Sequence, residues 1–450
     1  MDIGSQLQLF LDDWLIERME GVEQKLHHPV AKEVALAIDQ PWEKLWQEQE
    51  QFHPTPFGFS SVMKDGDVYR MFYTWDLGKR RDDPTGYAES RDGIHWEKPE
   101  LGLFEFEGSK RNNLVWERPR HFDFTPFRDT NPVAIPEERY KTLIGNPHVA
   151  LVSPDGLHWR QLSEEGVITD GAFDSQNIVF WDAEQKQYVA YYRDFVEVEG
   201  ERIRAIKRAL SDDFLEWSPG QFLDYGDAPL EHFYTNGIIP YFRSSDLYVG
   251  FPMRFIPSRK AIQDHSDDGV SDVVFMFSRD GLNWDRRFME GFIRPGLDSQ
   301  NWTERNFLMT WGIVQTAPAE LSMYWVEHYR HPTNRIRRGT LRLDGFVSLN
   351  ARYGGGEILT KPFTFQGSQL LLNYSTSAAG SIKVEILKDT LEPEKGFSGE
   401  DAPEIYGDQV DGEYAWTGDA SIGQLAGQPI RLRFHLKDAD FYSFRFDEGG

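Results

Sequence analysis

The chain has 450 residues, 40% hydrophobic and 27% charged, a composition that suits a globular protein of two or three domains and excludes wholesale disorder, collagen and a multi-span membrane protein. Against 48 Lys and Arg stand 73 Asp and Glu, a formal net charge of −25, so neither a nucleic-acid partner nor an anionic membrane surface is expected. The absence of cysteine removes disulfides, thiolate zinc sites and cysteine nucleophiles.

The opening MDIGSQLQLF shows no basic segment followed by an apolar run. No later stretch approaches the roughly 18 apolar residues of a membrane span. No membrane contact is expected, and the compartment stays open, with cytoplasmic as the default. Phe, Tyr and Trp make up 14% of the residues, a load that suits β-sheets and also the stacking of rings on sugars.

In chain order, residues 9–17 read as one strand, with Asp12 and Asp13 inside it, and this strand is a candidate to close a ring by joining the last blade. Residues 68–73 (VYRMFY) form the next clear strand. Then comes Ser90-Arg91-Asp92-Gly93-Ile94-His95-Trp96, which recurs as Ser153-Pro154-Asp155-Gly156-Leu157-His158-Trp159 and as Ser278-Arg279-Asp280-Gly281-Leu282-Asn283-Trp284. A degraded copy, Ser211-Asp212-Asp213-Phe214-Leu215-Glu216-Trp217, has Phe at the glycine place. The copies lie about 60 residues apart, and such a period marks repeated β units. An Asp-Gly pair reads as a tight hairpin turn. Residues 178–181, 188–192 and 272–277 supply strands inside these units. A fifth, unmarked unit fits residues 311–342. The predicted fold is all-β: a five-bladed β-propeller over residues 1–345, then a β-sandwich over 346–450. The sandwich strands are read at residues 369–374, 381–387, 430–436 and 441–446, with an acidic loop over 392–412.

A β repeat marked S-x-D-G-x-x-W and followed by a sandwich resembles the five-bladed propeller glycosidases, the invertases, levanases and arabinanases. The resemblance implies a glycoside hydrolase with an axial pocket, its carboxylates set at the starts of the innermost strands. Phe127-Arg128-Asp129-Thr130-Asn131-Pro132 is similar to the Arg-Asp-Pro motif of the invertase branch, with Thr at the proline place. That branch also carries an Asp nucleophile before the first hairpin. Here residues 53–59 (HPTPFGF) hold no acid. The Glu-Cys motif is absent with the cysteines.

Cleaving a glycosidic bond takes two carboxyl groups, one to protonate the leaving oxygen and one to attack or to activate water. Glu231 is the expected general acid and Asp174 the nucleophile or base. Asp129 is the supporting acid, and Asp194 is a further catalytic candidate. His232, Asn236, Arg254, Glu304, Glu327, His328 and Trp311 are expected to line the pocket. No cofactor is expected. An axial cation held by His148, His232, His328 and His331 stays open as an alternative. The expected partner is a carbohydrate substrate, taken one terminal sugar at a time, with a homo-oligomer through the sandwich as an open alternative. Two other functions stay open: a glycoside phosphorylase, with Arg and His holding phosphate, and a glycan-binding propeller without catalysis.

Overall fold

The computed structural model describes residues 1–44, 57–75, 84–117, 123–417 and 420–449. It is nearly all β. Among the described residues no helix is long and apolar enough to cross a membrane. The chain divides into two compact units, Pro29–Thr340 and a second made of Met1–His28 with Leu341–Gly450.

The first unit is a propeller. Among the described residues its antiparallel sheets are five of four strands and one of three, the three-stranded one interleaved in sequence with the fourth. The first is Ser60–Asp65, Val68–Thr74, Thr85–Ser90 and Leu114–Trp116. The second is Phe127–Arg128, Tyr140–Ile144, Val149–Ser153 and Arg160–Gln161. The third is Ile178–Asp182, Gln187–Val198, Glu201–Ser211 and Gln221–Phe222. The fourth is His232–Phe233, Met253–Ile256, Val270–Val274 and Gly291–Ile293. Ile239–Pro240, Tyr248–Gly250 and Met276–Ser278 form the three-stranded one.

The fifth sheet is Val314–Ala317, Glu320–Glu327 and Arg335–Arg342, completed by Val30–Ala37 from the start of the chain. The strand that closes this sheet is therefore not residues 9–17. VAKEVALA is rich in helix formers and mostly exposed, so it lacks the alternation that marks a half-buried strand.

The Ser-x-Asp-Gly-x-x-Trp copies connect the third strand of each marked sheet to the segment that follows. Asp155 Oδ1 accepts from the backbone N–H of Leu157 and His158 at 2.8 Å, while Ser153 Oγ accepts from Gly156 N–H at 2.9 Å. Gly156 has φ +79°. Phe214 adopts φ +73° at the glycine place, so the degraded copy keeps the same turn. Each turn docks on the preceding sheet. Gly156 lies against Arg70 and Phe72. The Phe214 ring packs on Phe127 and Tyr188. Gly281 O accepts from Tyr191 Oη at 2.7 Å. The turn of the first sheet docks on the fifth, where Gly93 O accepts from Tyr324 Oη, and this closes the ring.

Near the axis, the segments leading into the inner strands are tied to one another. Val62 N–H donates to Trp311 O and Trp311 N–H to Ser60 O, both at 2.8 Å. Gln176 Nε2 donates to Ser60 O at 2.7 Å, and Asn236 Nδ2 to Gln176 O at 3.3 Å. These side chains are buried, so the bonds satisfy backbone groups that water cannot reach.

The second unit folds two long bent strands over one core. Phe434 and Phe441 both lie on Ile430–Asp447, yet their ring centroids are 4.6 Å apart. Seven residues of extended strand would separate them by about 23 Å, so the strand doubles back. The turn falls at Asp438, with φ +44°. Its partner Gln369–Lys388 breaks register opposite, between Thr376 and Ser381. Bends of this kind carry strands from one layer of a sandwich to the other. Ile16–Glu20 and Val22–Leu26 add to the same network through Gly356–Thr360 and Val347–Ala351. The predicted acidic loop contains a strand, Asp408–Tyr414, paired with Leu370–Ser375.

Candidate active site

A cavity of about 340 Å³ lies where the segments leading into the third and fifth inner strands meet the long strands of the third sheet. Asp174 reaches it from the polar run Asp174-Ser175-Gln176-Asn177. That run is pinned by Asn177, whose Nδ2 donates to Phe173 O, Ser175 O and Asp123 Oδ2 at 2.9, 3.0 and 3.2 Å. The Asp174 side chain is 72% exposed, with the Arg193 guanidinium 3.9 Å away. Glu304 enters from the segment after the short turn Ser299–Asn301, and its side chain is only 2% exposed.

Strand alternation selects the remaining walls. On Gln187–Val198, Arg193 and Phe195 face the cavity, and Arg204 stands across from Phe195 on Glu201–Ser211. Asp194 therefore points away, where Lys207 Nζ holds it at 2.7 Å. Tyr234, Phe255, Asp267, Asp268 and Arg305 complete the lining.

The carboxyls of Glu304 and Asp267 sit in opposed settings. Glu304 Oε2 is 2.5 Å from His265 Nε2, and Oε1 is 3.2 Å from Arg305 and 3.4 Å from Arg330. Burial raises its pKa above the ordinary carboxylate value, and Arg305, His265 and Arg330 reverse this only in part. Burial also acts to raise Asp267, but Ser266, Arg330 and Arg305 outweigh it and hold that acid low. Behind the Asp174 segment, Asp123 accepts from Gly145 N–H at 3.1 Å and lies 3.6 Å from His148 Nδ1. Burial pushes its pKa up to about 7, against the hydrogen bonds from Gly145 and Asn177 and with the help of the Asp174 charge.

The expected site residues separate in space. Asp174 and Glu304 line the cavity together. Asp129 follows the inner strand Phe127–Arg128 instead of preceding it, and so lies at the opposite end of the sheet. It is fixed by Lys141 Nζ at 2.9 Å and Tyr188 Oη at 2.7 Å.

Glu231 and Arg254 line a second crevice of about 770 Å³ on the fourth sheet. Both Glu231 oxygens accept from guanidiniums, one from Arg254 at 3.1 Å and the other from Arg286. Arg254 is also held bidentate by Asp272 at 2.8 and 2.6 Å.

Asn236 is the buried axial tie described above. Trp311 stacks on Phe180 and faces a different crevice. Glu327 is clamped by Arg335 and Arg337 at 2.7 and 2.9 Å. His328 pairs with Asp298 at 2.8 Å. His232 lies beside the cavity, with Nδ1 3.4 Å from Arg204. The acid-free stretch 53–59 falls mostly outside the described residues.

Among the described residues, the metal-compatible grouping is His265, Asp267 and Glu304, with ligand atoms within 4.8 Å of one another. Arg330 and Arg305 already approach those carboxylates. Of the four histidines considered for an axial cation, His328 and His331 come near each other, their rings 6.3 Å apart.

Arg204, Tyr234, Asp267 and Asp123 were not picked out from the sequence. Arg204 sits on the third strand of its sheet and Asp267 on a connecting loop, whereas Asp123 and Tyr234 flank the inner strands Phe127–Arg128 and His232–Phe233 as single residues outside any polar run. Only the acidic stretch QDHSDD around Asp267 gave a local signal.

No protein-family model matches the chain. It is 29% identical over 155 residues to the Mycobacterium tuberculosis "Uncharacterized protein Rv1502", an alignment covering 31% of this chain and 48% of that protein. The chain thus spans about half the length of the curated relatives it matches. Among solved structures, a glycosyl hydrolase from Bacteroides ovatus aligns at 13% identity over 74% of this chain and 96% of its own length, with a TM-score of 0.47. A Bombyx mori GH32 β-fructofuranosidase aligns at 10% identity over 95% of each protein, with a TM-score of 0.41.

Proposed function

We propose that this protein cleaves glycosidic bonds at the terminal sugar of its substrate. The observation that carries the reading is the pairing of two unlike carboxyls in one cavity. Glu304 is buried and biased toward its protonated form, and Asp174 is open to the cavity. Environments that differ in this way suit an acid and its partner. Glu304 donates its proton to the leaving glycosidic oxygen. Asp174 attacks the anomeric carbon, or removes a proton from the water that does. Phe195, Phe255 and Tyr234 offer the ring faces that sugars stack on. A cavity near the small end of ligand pockets, roughly 300–1,000 Å³, suits one sugar unit and hence exo cleavage.

This assignment moves the acid from Glu231 to Glu304 and keeps Asp174. The test is sugar release from an oligosaccharide and aryl-glycoside panel, run with and without phosphate. Wild type is expected to release a single sugar that Glu304→Gln does not release. Release by Glu304→Gln at the wild-type rate would contradict the reading.

A further inference from the structure

Acids and guanidiniums share the cavity, with Asp174, Asp267, Asp268 and Glu304 beside Arg193, Arg204 and Arg305. Arg204 has no carboxylate within ion-pair distance among the described residues, and its Nε is buried without a hydrogen-bond partner. Its Nη1 lies 3.4 Å from His232 Nδ1. Around it stand rings, with Phe255, Tyr234 and Phe195 centroids 5.2, 5.7 and 5.9 Å from its guanidinium carbon. Arg193 stacks over the same Tyr234 ring at 5.6 Å, and its ion-pair partner among the described residues is Asp174 at 3.9 Å. Arg305 shares Glu304 with Arg330, which is also paired with Asp267.

Burial, and then the charges of Arg193 and Arg305, disfavour the charged form of Arg204. The rest of the molecule is strongly acidic. Arg193 donates Nε to Ala172 O at 3.0 Å, and a site that sets beside it a second guanidinium with no acid partner under these conditions suits an incoming anion. Two guanidiniums beside one cavity match the paired oxygens of a carboxylate or a phosphate.

We propose that Arg193 and Arg204 bind a compact oxyanion in this cavity, carried either on the sugar, as the carboxylate of a uronic acid, or on a second substrate, as inorganic phosphate. This rests on the reading of the cavity as a glycoside-cleaving site and names the class of ligand it takes. With a uronic acid, the anion orients the terminal sugar between Glu304 and Asp174. With phosphate, a phosphate oxygen replaces water as the attacking group, and the sugar leaves as its phosphate ester.

The test is binding, read by calorimetry on the full chain, with three probes: inorganic phosphate, methyl β-D-glucuronide and the neutral methyl β-D-glucoside. At least one anion is expected to bind more than tenfold tighter than the glucoside and to weaken as salt is added. Arg204→Gln is expected to weaken that anion more than tenfold, and Arg204→Lys, which keeps charge but loses the fork, by an intermediate factor. Wild type carries the test even where a variant folds poorly. Phosphate alone binding tightly identifies a phosphate acceptor, and glucuronide alone an acidic sugar. Neither anion exceeding the glucoside overturns the proposal, as does an intact Arg204→Gln fold that binds the anion like wild type. Turnover of neutral glycosides without anion binding would overturn this proposal alone. Anion binding without turnover of any glycoside would overturn the glycosidase reading alone.

Discussion

Glu304 and Asp123 are both carboxyls that burial drives toward neutrality, but they face different surroundings. Glu304 opens on the cavity. Asp123 is enclosed by Gly145, Asn177 and His148. The first should set a rate and the second a stability. Because the Glu304 pKa is raised, kcat/KM should fall as pH rises through that value, and Glu304→Gln should lack this limb. Glu304→Gln and Asp174→Asn should each lower turnover more than about 100-fold, roughly 2.7 kcal/mol of barrier. Glu231→Gln should leave turnover within a few-fold while lowering the denaturation midpoint, since Arg286 beneath it is buried.

For Asp123 the sign follows from linkage. Between the ordinary value of 3.8 and about 7, the unfolded chain has lost this proton and the folded chain keeps it. Stability from this group is full below 3.8 and declines as pH rises to about 7, at up to about 1.4 kcal/mol per pH unit. Urea midpoints between pH 4 and pH 8 should show that decline in wild type and lose it in Asp123→Asn. At this scale the sequence showed Asp174 and Glu304, because polar runs ahead of an apolar strand mark the mouth of a β unit. It misplaced Asp129, because a motif two residues long does not say which end of its strand it occupies.

The elements explain why one unit carries no mark. The Ser-x-Asp-Gly-x-x-Trp turn follows the third strand of a sheet and leads toward its outer edge. In the fifth sheet the outer strand is Val30–Ala37, which arrives from the other end of the chain. No turn is needed there, and none is written in the sequence. Phe214 shows the turn surviving without its glycine. A left-handed residue costs about 1–2 kcal/mol, whereas deleting a buried Phe ring costs about 3–5 kcal/mol. Phe214 is fully buried, and Lys141 Nζ lies 5.3 Å from its ring centroid. Phe214→Gly should therefore destabilise by about 2–3 kcal/mol although it relieves the backbone, as read from the shift in urea midpoint at unchanged m-value. A glycine scan of the motif misses this copy, since the contact that compensates for φ lies on the preceding sheet.

Over the whole molecule, each unit has its own core, and the second is built from both ends of the chain. Local patterns gave its C-terminal strands. Its N-terminal contribution was not legible, because Ile16–Glu20 and Val22–Leu26 find their partners more than three hundred residues away. Removing residues 1–28 takes these strands and the buried Phe10 from the core. Calorimetry of that variant should show the transition of the second unit lost or strongly lowered, with that of Pro29–Thr340 retained.

The account rests most on Glu304 as the proton donor to the leaving group. The direct measurement is turnover of wild type and Glu304→Gln on an aryl-glycoside series of the accepted sugar, from poor leaving groups such as phenol to dinitrophenol, which departs without protonation. Loss in the variant should exceed 100-fold for phenol and shrink to a few-fold for dinitrophenol. An equal loss across the series, or none at all, would contradict the assignment.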